Sequence, residues 1–125
     1  EFIRLTGVDC LAVAVGTAHG AYPKGMKPKL DFERLAAIKE KTGHFPLVMH
    51  GSSGTDNETL RKACRMGINK VNIANDLCQA AAKAAKTADL EGNHAYDFSA
   101  VVYEAVKAKM KEMIEVYGSV GKASM

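Results

Sequence analysis

The chain has 125 residues, 17 basic and 14 acidic side chains for a formal charge of +3, and 47% hydrophobic and 25% charged content. These ordinary globular values exclude wholesale disorder and, at this length, more than one domain of typical size. No apolar run reaches the roughly 18 residues that cross a bilayer, and a mild charge with 6% aromatics and no Trp lacks the basic and stacking footprint of a nucleic-acid binder.

The opening Glu1-Phe2-Ile3-Arg4 lacks the basic and apolar regions of a signal peptide, and no Met precedes it. We therefore expect a chain that begins partway through a fold. Residues 11–15 (Leu-Ala-Val-Ala-Val) are apolar throughout and stop at Gly16, the pattern of a parallel strand buried on both faces. A Gly-, Pro- and Lys-rich loop follows over 20–30. Its Lys24, Lys27 and Lys29 read as solvated, though they carry charge that would attract a phosphorylated ligand. A helix starts near Asp31, puts Phe32, Leu35, Ala36 and Ile38 on one face, and stops at Gly43. Residues 46–50 form the second strand, which breaks into Gly51-Ser52-Ser53-Gly54. Thr55 and Glu58 have the spacing of a capping box for a helix that buries Leu60, Ala63 and Cys64 and ends near Gly67. Residues 70–73 form the third strand. An Ala-rich helix follows over 76–88, then a connector over 90–96. The last helix, 99–117, carries the stripe Val102, Val106, Met110, Met113 and Tyr117, and the tail after Gly118 is expected to fray. The stripe reads as packing within the fold; a partner or subunit surface is the competing account. Cys10, Cys64 and Cys78 are odd in number and form no Cys-x-x-Cys, so they read as reduced thiols of a cytoplasmic protein.

Alternating strands and helices imply an α/β fold with a parallel sheet. Three strands leave two open edges, so the sequence reads as part of a larger domain, either an eight-stranded barrel or a doubly wound sheet.

Strands of a parallel sheet end on one side, where barrel active sites are built. His19-Gly20 follows the first strand, His50-Gly51 ends the second, and Asn72 ends the third. Two neutral imidazoles at neighbouring strand ends suit a divalent metal such as zinc; hydrogen bonding to the backbone is the alternative for each. His44 and His94 fall away from that end and read as solvated. Gly51 to Thr55 combines glycines, serine hydroxyls and an approaching helix start, features that favour phosphate. Ala74-Asn75 precedes another helix start.

Four ordered blocks then carry a resemblance. They are Ala14-Val15-Gly16-Thr17-Ala18-His19-Gly20, Pro28 to Leu35, Pro46 to Gly54, and Lys70-Val71-Asn72-Ile73. Together they resemble the class II, zinc-dependent ketose-bisphosphate aldolases over nearly the whole chain. The resemblance implies the last three βα units and terminal helices of a (β/α)8 TIM barrel, with residues 1–125 forming the C-terminal part of one aldolase domain. It implies that His19 and His50 are two of three zinc ligands. It assigns phosphate and substrate binding to Gly20, Gly51, Ser52, Ser53, Asn72, Ile73, Ala74 and Asn75, with Asn72 near the reacting carbons. Asn75 stands where the family usually has Thr. The implied reaction is reversible cleavage of a ketose 1,6-bisphosphate, fructose-bisphosphate first and tagatose-bisphosphate as the alternative, to dihydroxyacetone phosphate and glyceraldehyde 3-phosphate. The implied cofactor is zinc, with room for a monovalent cation, and the implied assembly is a homo-oligomer, dimer or tetramer.

The family's third zinc histidine and its catalytic aspartate form an Asp-His pair on an early strand. No Asp of this chain precedes a His. The expected partner is therefore the N-terminal part of the barrel, and these residues alone are expected to be inactive. A phosphate-binding α/β domain that uses the same loops without metal is the other reading of the residues.

Overall fold

The three predicted strands form, and all run parallel. A computed structural model describes residues 1–18 and 28–124. Its sheet contains β1 (Leu11–Ala12), β2 (Leu47–Met49) and β3 (Ile68–Val71) in that order. The helices are α1 (Phe2–Thr6), α2 (Phe32–Thr42), α3 (Asn57–Arg65), α4 (Asn75–Thr87) and α5 (Phe98–Val116). The described residues divide into two compact units, Glu1–Ile73 with the sheet and Ala74–Met125 with α4 and α5. Among the described residues, no helix is long and apolar enough to cross a membrane.

In the first unit, the core gathers around β2. Leu47, Val48 and Met49 are all buried, with Val15, Leu35, Leu60 and Ala63. Each large apolar side chain of this set contributes about 1.5–3 kcal/mol by leaving water. The flanking strands differ. Ala12 and Ala14 are exposed, while Leu11 and Val13 are half-buried. The expectation that the first strand is buried on both faces is thus corrected. Within these residues β1 is an edge, and of the run 11–15 only Val15, beyond the strand itself, reaches full burial. Ladder-type bonding nevertheless continues past β1, since the Val13 N–H donates to the Val48 carbonyl at 3.1 Å.

β2 and β3 do not pair regularly. Leu47 stands opposite Ile68, but Val48 stands opposite Lys70 and Met49 opposite Val71, leaving Asn69 as an extra residue. This is a β-bulge, uncommon between parallel strands. The Asn69 side chain supports it, because its Oδ1 accepts the Leu47 N–H at 3.1 Å. One step beyond the last pair, the bulge brings Asn72 level with His50. Regular pairing from Leu47 and Ile68 would put Val71 there.

Helices α2 and α3 start on carboxylates. Asp31 accepts the Arg34 N–H at 2.9 Å, and α2 ends at Gly43 with φ 60°, as the sequence suggests. On α2, Leu35 is buried, Phe32 and Ile38 are half-buried and Ala36 is exposed. At α3 the expected capping box is corrected. Asp56, not Thr55, is the cap: its carboxylate accepts the Thr59 N–H at 2.9 Å and the Thr59 hydroxyl at 2.7 Å. Thr55 is taken by a turn instead, its N–H donating to the Ser52 carbonyl at 3.1 Å.

The Thr59 amide, then its hydroxyl, hold the Asp56 carboxyl below the ordinary aspartate pKa of 3.8. A lowered folded pKa contributes stability that is present above the ordinary value and is lost as pH falls through the folded one. Asp56→Ala in the full-length protein is therefore expected to lower the melting temperature by roughly a few degrees at neutral pH, with the gap closing well below pH 3.8. Thermal melts at the two pH values check this; an equal gap at both would contradict it.

In the second unit α4 and α5 pack on one another. Of the predicted stripe, Met113 is buried, Val102, Val106 and Tyr117 are half-buried and Met110 is exposed. Tyr103 and Ile114 are also exposed. The connector contains a 3-10 turn over Gly92–Asp97. The tail, expected to fray, forms a further short turn over Lys122–Ser124.

Candidate functional site

The end of β2 turns sharply. His50 is half-buried, and Gly51 follows with φ 69°. A Cβ on Gly51 would stand 2.3 Å from the Ala18 carbonyl oxygen. Only glycine permits both this conformation and this approach. The Thr17 hydroxyl donates to the His50 carbonyl at 2.6 Å. Two contacts thus tie the chain leaving β1 to the chain leaving β2. His19 and Gly20, expected in the site, lie outside the described residues, as do Lys24 and Lys27.

Ser52 comes next and is only 2% exposed. Its Oγ and the Thr55 Oγ1 are buried without a hydrogen-bond partner among the described residues. A buried hydroxyl left so costs about 1–3 kcal/mol, and an acceptor-rich group such as phosphate satisfies it. Ser53 is half-buried. One expectation changes here. At α3 the Asp56 carboxylate already takes the Thr59 amide, and its negative charge opposes an anion at that end. An anion in this loop would therefore meet its glycine backbone and hydroxyls rather than the helix start.

Asn72 approaches His50 from β3. Its Nδ2 lies 3.4 Å from the imidazole Nδ1 and 3.3 Å from Nε2. Its Oδ1 accepts from the Lys70 ammonium. Ile73 is half-buried. Ala74 and Asn75 belong to the second unit, where Ala74 precedes α4 and Asn75 is its first residue. The α4 start has no side-chain cap. Its amides retain the donor character expected of a second phosphate loop.

The structure therefore brings together His50, Gly51, Ser52, Ser53 and Asn72. Among the described residues, no group of three His, Cys, Asp or Glu side chains could hold a metal ion. The imidazole of His50 fits a transition metal as one donor, and a full set needs residues beyond those described. His44 and His94 are exposed, as expected, and His94 lies 4.0 Å from Asp97. Cys10 and Cys78 are exposed free thiols, and partial burial pushes the Cys64 thiol up, away from reactivity.

Sequence reasoning missed Thr17, Asn69 and Lys70. The signal for Lys70 was its place two residues before Asn72, a same-side spacing on a strand. Thr17 and Asn69 act through backbone groups and left no pattern.

Comparison with known proteins supplies a family. The family described as Fructose-bisphosphate aldolase class-II matches residues 1–122. The YdjI aldolase of Escherichia coli K12 is similar at 36% identity and a TM-score of 0.83, over 98% of this chain and 43% of that one. A candidate fructose-1,6-biphosphate aldolase of Coccidioides immitis is similar at 30% identity and a TM-score of 0.82, over 97% of this chain and 42% of that one. The chain thus spans less than half the length of these solved structures.

Proposed function

The chain belongs to the class II fructose-bisphosphate aldolase family, and from that premise we propose that residues 1–125 are the C-terminal part of a zinc-dependent (β/α)8 aldolase. Its reaction is reversible cleavage of a ketose 1,6-bisphosphate, fructose 1,6-bisphosphate first, to dihydroxyacetone phosphate and glyceraldehyde 3-phosphate. The observation that carries this reading is the corner His50-Gly51-Ser52 at the end of the central strand, with Asn72 level with it. The open edges of β1 and β3 support the barrel, since further strands of a larger sheet would cover them. Exposed apolar side chains on α5 suit contacts in a homo-oligomer. Free thiols accord with a cytoplasmic enzyme.

His50 and His19 would hold the metal, with a third histidine from the N-terminal part. Zinc, when bound, supplies Lewis-acid polarisation of the ketone oxygen. The chain's own residues do the rest. Gly51 lets the backbone approach the phosphate, Ser52 and Ser53 donate hydroxyls to it, and the Asn72 amide contacts the substrate beside the bond that breaks. Gly20, Ile73, Ala74 and Asn75 complete the binding loops. Binding energy from the phosphate, remote from the reacting carbons, orients the substrate.

Steady-state cleavage of fructose and tagatose 1,6-bisphosphates by the full-length protein tests this. Chelation is expected to lower turnover by roughly a hundredfold or more, and added zinc to restore it. Cleavage indifferent to chelator overturns the metal. Phosphate binding without any cleavage favours the metal-free phosphate-binding domain, and faster tagatose turnover reassigns the substrate.

A further inference from the structure

We propose that Lys70 is a positioning residue: its ammonium fixes the rotation of the Asn72 side chain so that the amide NH2 faces His50 and the substrate. The argument starts from donors and acceptors. The two ends of an asparagine amide have nearly the same shape, and only their partners distinguish them. A lysine ammonium donates and cannot accept. The end of Asn72 that meets Lys70 is therefore the oxygen, and the NH2 is left at 3.3–3.4 Å from the two ring nitrogens of His50. Lys70 and Asn72 are two residues apart beyond the bulge, so both project from the same side of the strand, level with Val48 and His50.

Among the described residues, nothing else holds the amide. Asn72 is exposed, and its side chain has only these two neighbours as partners among the described residues. Without Lys70 both rotations become open, and one of them presents an oxygen where a donor is needed. The ammonium has no carboxylate partner among the described residues to draw it away.

The catalytic half of this inference rests on the aldolase reading; the geometric half does not. The test uses full-length protein labelled with 15N-asparagine, as Lys70→Met and Lys70→Arg variants, the Asn72 side-chain signal being assigned with Asn72→Asp. In Lys70→Met that amide signal is expected to move to the position of a freely rotating side chain, and in Lys70→Arg to stay near its original place. In cleavage assays Lys70→Met is expected to lower kcat roughly tenfold with KM within about twofold, and Lys70→Arg to recover most of it. An unmoved Asn72 signal in Lys70→Met overturns the proposal. So does a raised KM with unchanged kcat, which would make Lys70 a charge that attracts phosphate. If the wild-type protein cleaves no ketose bisphosphate, the aldolase reading fails, and the amide signal still decides whether Lys70 positions Asn72.

Discussion

His50→Ala in the full-length protein is expected to lower ketose-bisphosphate cleavage by roughly a thousandfold, about 4 kcal/mol of transition-state stabilisation. The expectation rests on the ring, not on the fold. Thr17 donates to the main-chain carbonyl of residue 50 at 2.6 Å, a bond that alanine keeps. The corner after β2 should therefore survive the substitution, and melting should change little. Bound zinc, measured on the purified protein, should fall with activity. His44→Ala and His94→Ala are the matched controls, since both side chains are exposed, and each should retain activity. If His50→Ala turns over within tenfold of wild type, His50 is not a ligand. If it unfolds, the ring has a packing role the half-buried site does not suggest.

Gly51→Ala is expected to cost about 3 kcal/mol of stability, more than Gly54→Ala in the same loop. Two penalties add. The φ of 69° puts an L-residue in the left-handed region, and the new Cβ would lie 2.3 Å from the Ala18 oxygen and 2.7 Å from its carbon. Both neighbours are backbone, so relief requires one strand-end loop to move from the other. Gly54→Ala separates the two effects. Its φ is 81°, but a Cβ there meets only Pro28, at 3.8 Å. Denaturant unfolding of the two full-length variants should show Gly51→Ala as the more damaging. Equal losses would mean that the close approach to Ala18 contributes nothing.

The architecture was readable because it depends on local chemistry. The apolar run at 47–49, the carboxylate at Asp31 and the glycine at 43 each act on their immediate neighbours, and each appears where its pattern put it. Thr55 misled because two capping frames overlap, one starting at Thr55 and one at Asp56. A turn back to the Ser52 carbonyl decided between them, and that turn has no signature of its own. Burial of β1 was overestimated because hydrophobicity records what a strand requires in its finished surroundings, whereas the exposure of Ala12 and Ala14 records only the described neighbours. The strand-end logic did place His50 beside Asn72. It could not reveal why they meet, since an extra residue in a four-residue strand is invisible to a two-residue period.

That extra residue has a consequence for how related chains should be compared. Before Asn69, β3 is set by the core, with Ile68 buried opposite Leu47; after it, the strand is set by the site, with Lys70 opposite Val48. A strand one residue shorter and free of the bulge would present the same partners to Val48 and His50. Length and regularity are therefore interchangeable in this segment. Alignments and chimeras that count residues from Gly67 will misplace the asparagine, whereas those anchored on the Val48–Lys70 partnership will carry it across intact.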